Sequence, residues 1–182
     1  MRSGFAAVAI VLVTAPCRAS GMDDYNQIAE VYRAHDFAQV VALSTQALAT
    51  APPDDALRGG FHHLRGAAEM NLQRWPEAVA DLDQSLAALE GSDDLKVKFA
   101  DVVTGLYWER GLAKAHATGC GDALADYNAS LARDPKNAQV LTDRGVCYDV
   151  LGRQEDARAD AAAALMLDPG NEDAQHLRDR LK

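Results

Sequence analysis

Aromatic side chains are scarce in this chain, at 6% of 182 residues. A core built on large rings is thereby excluded, and small aliphatic packing must carry the fold. Basic residues are also few. Eighteen Lys and Arg stand against 27 Asp and Glu, for a net charge of -9. An acidic chain repels phosphate backbones, which argues against nucleic acid as a partner. No linker or low-complexity stretch divides the chain after its first twenty residues, so one domain is expected. The signatures H-E-x-x-H, G-x-S-x-G and G-x-x-x-x-G-K-[ST] are all missing. The carboxylates are spread along the chain rather than paired for acid–base work. Those gaps point away from an enzyme and from a bound cofactor.

The apolar run from Phe5 to Ala15 is eleven residues long, and a spanning helix needs about 20. With Arg2 before it and small residues after it, residues 1–21 have the layout of a secretory signal peptide. Two alternatives stand beside that reading: an uncleaved N-terminal anchor, and lipidation at Cys17. Pro16 beside Cys17 departs from the bacterial lipobox. Cleavage would leave an exported chain without a membrane span, and a periplasmic location is expected.

The remainder is periodic. From Asn137 to Asn171, two amphipathic halves meet at Leu151-Gly152-Arg153. Leu141, Gly145, Tyr148 and Leu151 mark the first half, and Ala157, Ala161 and Ala164 recur in the second. Period 3.6 fits both halves. Gly145 inside a helix costs about 1 kcal/mol against Ala, which calls for a second helix passing close to it. Ala157 and Ala161 are small enough to belong to that helix. Arg110-Gly111 precedes Arg144-Gly145 by 34 residues, and Pro135 precedes Pro169 by 34.

This pattern resembles the tetratricopeptide repeat, a 34-residue helix–turn–helix unit. Leu141, Gly145, Tyr148, Ala157, Ala164 and Pro169 stand in the places of its motif, and Ala161 replaces the usual aromatic. The resemblance implies an all-α, right-handed solenoid of about four antiparallel helix pairs. The repeats fall at about 22–52, 54–90, 93–135 and 137–170, with a capping helix at 171–182. Ile28 stands where later repeats have glycine, so the first pair should cross less closely. Asp36 is positioned to cap the second helix of that pair, with Gln39 three residues on. The interval from Gly66 to Gly111 is 45 residues rather than 34. The extra length predicts one extended helix from about Asp93 to His116. Asp54-Asp55, Asp93-Asp94 and Asp81 with Asp83 read as helix starts and solvated faces.

Family analogy also sets Cys120, in the turn within the third repeat, beside Cys147 in the next. The expectation is a disulfide; the alternative is two structural thiols. In the family the first helix of each repeat lines a concave groove. Carried over by register, the groove candidates are Tyr25, Tyr32, Arg33, His63, Met70, Asn71, Trp108, Leu112, His116, Thr142, Val146 and Asp149. Each has packing against its neighbours as the competing role. Family members that grip acidic chaperone C-termini do so with Lys, Asn and Arg at fixed places. Here those places hold Tyr25, Ala29, Leu64, Gly105 and Glu109. His62 and His63 point about 100° apart on a helix, which disfavours a shared metal ion.

The function expected is a protein–protein interaction scaffold of the cell envelope, binding a polypeptide in its groove. The alternatives are an accessory that binds or acts on a cell-wall ligand and a weakly self-associating structural subunit.

Overall fold

A computed structural model describes residues 21–52 and 57–182. The signal-peptide and Cys17 readings, and Asp54-Asp55, lie outside the described residues. Those residues form helices and no strand.

Eight of the helices are antiparallel pairs. They are α1 (Gly21–Arg33) with α2 (Phe37–Thr50), α3 (Arg58–Asn71) with α4 (Trp75–Glu90), α6 (Ala100–Ala117) with α7 (Cys120–Arg133), and α8 (Ala138–Val150) with α9 (Gln154–Leu167). A short α5 (Asp93–Lys98) leads into α6, and α10 (Glu172–Arg180) closes the array against α8 and α9. The helix starts follow local chemistry. Asp36, Ser92, Asn137 and Asn171 each accept a hydrogen bond from the backbone N–H three residues on. The Gln39 N–H to Asp36 bond is 3.1 Å. Pro76 sits in the first turn of α4, where a missing N–H costs nothing.

The turn inside each pair carries one residue of positive φ: His35 at 61°, Gln73 at 57°, Gly119 at 110° and Gly152 at 73°. At Gln73 and Gly152 the same two bonds close the turn, from the positive-φ residue and from its successor back to the ending helix. Glycine adopts this conformation without steric cost, whereas Gln73 pays a Cβ penalty of about 1 kcal/mol.

The array has no single central core. Ile28, Val40, Leu48 and Phe61 fill the first interface. Leu82, Leu86, Val103 and Leu106 fill the next. Tyr127, Leu131, Val140 and Cys147 follow, and Tyr148, Ala157, Leu177 and Leu181 seal the end. The first three blocks span neighbouring pairs and the fourth joins the last pair to α10, so each unit completes the apolar face of the one beside it.

One expected element is corrected. Residues 93–116 do not form one extended helix. The backbone leaves helical geometry at Phe99 (φ −114°, ψ 31°), separating α5 from α6. The break lets Leu95 and Phe99 pack onto the same α4 block that Val103 and Leu106 fill. A straight helix would carry its first turns away from α4.

A second correction concerns Asp81, which is not on a solvated face. It is 5% exposed and takes a bidentate bond from Arg65, at 2.5 and 2.7 Å. The motif recurs: Arg110 grips Asp126 and Arg144 grips Asp160, each through two hydrogen bonds. In every case the arginine precedes the close-approach glycine, and the aspartate lies 16 residues further on. The third nitrogen of each arginine reaches back to the preceding pair, at Thr45, Asp83 and Asn128 respectively. One planar side chain thus joins the two helices of its own pair and ties them to the pair before. The fork geometry of guanidinium permits both at once. The glycine beside it is required by the same contact. A Cβ on Gly111 would stand 2.9 Å from the Tyr127 ring, and one on Gly145 3.1 Å from the Asp160 Cβ and 3.5 Å from the Ala157 carbonyl.

Candidate functional site

The first helices of the pairs, with α10, present a row of side chains along one face. Toward the C-terminal end this face deepens into a cavity of about 390 Å³ between α6, α8 and α10. Leu112, Ala115, Val146 and Leu177 supply apolar wall, and Tyr127 and Cys147 form part of the floor. His116, Asp143, Asp173, His176 and Arg180 stand around it. Periodicity places the α10 members: Asp173, His176, Leu177 and Arg180 follow helical spacing, so one face of a short helix supplies them all.

Cys120 and Cys147 are joined by a disulfide in the cavity wall, with Cα atoms 4.9 Å apart. Cys120 begins α7 immediately after the Gly119 turn, and Cys147 lies within α8. The bond therefore fixes the turn of the third pair against the first helix of the fourth.

Asp143 has a distinctive setting. Its Oδ2 accepts from the Trp108 indole N–H at 2.7 Å, and its Oδ1 accepts from the Gln139 amide at 3.0 Å. Burial is the main influence and raises its pKa above the usual carboxylate value; the two hydrogen bonds act in the opposite sense. Asp81, Asp126 and Asp160 each hold an arginine. Asp143 has two neutral donors instead. Asp149, one turn beyond Val146, pairs with Arg180 at 2.7 Å and so engages the one arginine of the cavity.

The sequence-derived groove candidates separate into groups. Leu112, His116, Thr142 and Val146 meet at the cavity. Thr142 is nevertheless fully buried and spends its hydroxyl on the Ala138 carbonyl at 2.8 Å. Of the two roles open to it, groove or packing, its side chain takes the packing one. Trp108 packs against the core block below the cavity and serves the face by holding Asp143. His116 stacks on Trp75 with ring centroids 4.2 Å apart.

The remaining candidates lie toward the N-terminal end. His63 bonds Glu109 at 2.9 Å, bridging α3 and α6. Asn71 donates to the Ala67 carbonyl at 2.8 Å and to the Tyr32 hydroxyl at 3.5 Å. Tyr32 packs edge-on against Phe37, and burial raises its pKa. Tyr25 lies over Gly60 and tilts against Phe61, so its ring is largely occupied in packing. Met70 packs with the α4–α6 block. Arg33 is exposed at the end of α1.

Asp143 and the α10 face are not among the sequence-derived groove candidates, and Glu109 enters the sequence reading only as a departure from the carboxylate-gripping pattern. Glu109 and Asp143 directly follow the candidates Trp108 and Thr142 in sequence. Asp173, His176, Leu177 and Arg180 follow an i, i+3, i+4, i+7 pattern, the sequence signal that could place them on one face. Among the described residues no three His, Cys, Asp or Glu side chains converge to hold a metal ion. No described helix is long and apolar enough to cross a membrane.

Comparison with known proteins bears on this geometry. Residues 126–159 match the family model of the tetratricopeptide repeat. The Hsp70-Hsp90 organizing protein of Triticum aestivum is 38% identical over 48 residues, covering 26% of this chain and 8% of that protein. The chain thus matches under a tenth of that relative's length. Among solved structures, MamA RS-1 superposes with a TM-score of 0.73 at 16% identity, covering 88% of this chain and 82% of that one. The first TPR domain of Spaghetti (RPAP3), bound to the HSP90 peptide SRMEEVD, superposes at 0.59 with 18% identity, covering 70% of this chain and 92% of that one. At such identities the likeness concerns the fold. The described chain has the architecture of a tetratricopeptide-repeat solenoid, and residues 126–159 carry the repeat that the family model matches.

Proposed function

We propose that this chain is a protein–protein interaction scaffold of the cell envelope that holds a polypeptide segment along its concave face. The observation that carries the reading is the cavity walled by Leu112, Val146 and Leu177, with polar groups placed around its mouth. An apolar wall with a few fixed polar groups suits recognition of a side chain that must leave water. The RPAP3 domain holds its peptide on the same fold, which supports a peptide here as the occupant class. Its partner need not be shared. That peptide is acidic, whereas Glu109 and Asp143 put negative charge on this face. The envelope location is supported by the signal-like residues 1–21 and by the paired cysteines, since disulfides persist in oxidising compartments. Binding rather than catalysis is favoured because both cavity cysteines are tied in the disulfide and the Thr142 hydroxyl is spent on a backbone carbonyl.

Crosslinking of the tagged protein in its own envelope fraction tests this. The parent is compared with a Leu112→Ser, Val146→Ser variant whose helicity is checked by circular dichroism. A partner captured by the parent and lost by the folded variant is the expected result. Equal capture would move the functional face elsewhere. Light scattering over a concentration series addresses self-association, for which a persistent monomer is the negative result.

A further inference from the structure

We propose that the cavity between α6, α8 and α10 receives a cationic segment of a polypeptide partner, an aliphatic side chain packing on Leu112, Val146 and Leu177 while an adjacent Lys or Arg meets Asp143 and Asp173. This rests on the concave-face reading and names the chemistry of its occupant.

Three observations converge on it. The first is shape. A concavity of about 390 Å³ with an aliphatic wall is large enough for one or two side chains, and apolar matter there leaves water favourably.

The second is charge. Asp143 and Asp173 are the carboxylates at the cavity, and Arg180 is the arginine. Arg180 is already engaged by Asp149, which leaves the two aspartates unbalanced. His116, His176 and the Tyr127 hydroxyl are the other titratable groups of the cavity lining.

The third is the contrast within the molecule. The deeply buried Asp81, Asp126 and Asp160 are each matched by a guanidinium. Asp143 is also drawn out of water, yet Trp108 and Gln139 bring it only neutral donors. Each oxygen retains capacity to accept another bond. A cation entering from the open side would supply what the other three aspartates hold internally. An acidic partner would place like charges together in a partly desolvated site, which is costly.

The experiment pans a random dodecapeptide phage library against the full chain, then titrates synthesised winners by fluorescence anisotropy. Enrichment of peptides with Lys or Arg beside Leu, Ile or Val is expected. Their affinity should fall about 10-fold in Asp173→Asn and about 10-fold in Asp143→Asn, and the Lys→Glu counterpart of each peptide should not bind. Asp173 is exposed, so its substitution leaves the fold intact. Asn at 143 keeps an oxygen for Trp108. Acidic or uncharged winners that require Leu112 and Val146 would overturn the cationic assignment and leave the concave-face reading standing. Winners indifferent to all four positions, or no enrichment, would overturn both. Spermidine competing as well as the peptides would overturn the polypeptide assignment.

Discussion

The first helix pair and the three that follow use the same architecture with different fastenings. In α3–α4, α6–α7 and α8–α9, a glycine brings two helices together and an Arg–Asp pair bolts the crossing. In α1–α2 the corresponding places hold Gln27, Ile28 and Leu43. Ile28 is 2% exposed and Leu43 packs in the first apolar block, whereas Gln27 lies in solvent. The first pair therefore lacks the Gly and Arg–Asp fastening, and it meets its partner helix less extensively than the later pairs do. The comparison teaches that the fold itself needs only the apolar pattern. The ion pairs add a defined crossing point and a tie to the preceding pair. A buried salt bridge is weak evidence for net stability, because desolvation offsets much of the attraction. Removing one partner is different, since it strands a charge.

That asymmetry makes the first prediction and the largest. Asp126→Ala should destabilise the chain by about 3 kcal/mol, because Asp126 is 2% exposed and both Arg110 and Lys114 would lose their shared carboxylate. Urea denaturation measures it. The matching change in the unbolted pair, Gln27→Ala, should fall within about 0.5 kcal/mol of the parent. Similar losses at the two positions would remove the distinction between the pairs.

The second prediction uses a difference among the bolted pairs. Beside Asp126 the third pair places Lys114, at 2.9 Å. Beside Asp81 the second pair places His62 at 2.9 Å, and Glu69 faces the same aspartate. Burial, and then the charge of Asp81, push the Glu69 carboxyl up to about 7, despite the opposing pull of Arg65. The unfolded chain ionises this group near 4.3. Folding therefore takes up a proton between those values, and stability falls as pH rises from about 4.5 to 7, the full penalty remaining above. Glu69→Gln should stabilise by about 2 kcal/mol at pH 8 and by far less at pH 4.5, read from denaturation at each pH. A gain that does not vary with pH would refute the account.

The third and smallest contrast lies within one helix. A Cβ on Gly111 would meet Tyr127 at 2.9 Å, while one on Gly105 would meet nothing within 4 Å. Gly105→Ala should stabilise by about 1 kcal/mol through helix propensity, whereas Gly111→Ala should destabilise by about 1–2 kcal/mol through overpacking. Thermal unfolding of both variants checks the opposite signs.

The repeat was legible because 34-residue spacing and period 3.6 are properties of the sequence alone. Arg110 and Arg144 were visible as register markers beside their glycines. Their partners were not, because an aspartate 16 residues away becomes a neighbour only after two helices cross. The bend at Phe99 was hidden for a related reason: its helical spacing persists through the break, and only the position of α4 makes the bend favourable. At the cavity, Leu112 and Val146 followed from register. Asp143 required knowing that Trp108 points at it across two helices.

The Cys120–Cys147 bond has a consequence for how the array comes apart. A stack in which each unit touches only its neighbours behaves as a one-dimensional chain of coupled segments and frays from its ends. The crosslink spans a boundary between units rather than lying within one, so α7 and α8 cannot separate while it is intact. Opening from the C-terminal side must then involve two units together. Opening from α1–α2 meets neither a covalent tie nor an Arg–Asp bolt within that pair. Amide exchange should accordingly run as a gradient, fastest in α1 and slowest around α7 and α8, and reduction of the disulfide should flatten it from the C-terminal side.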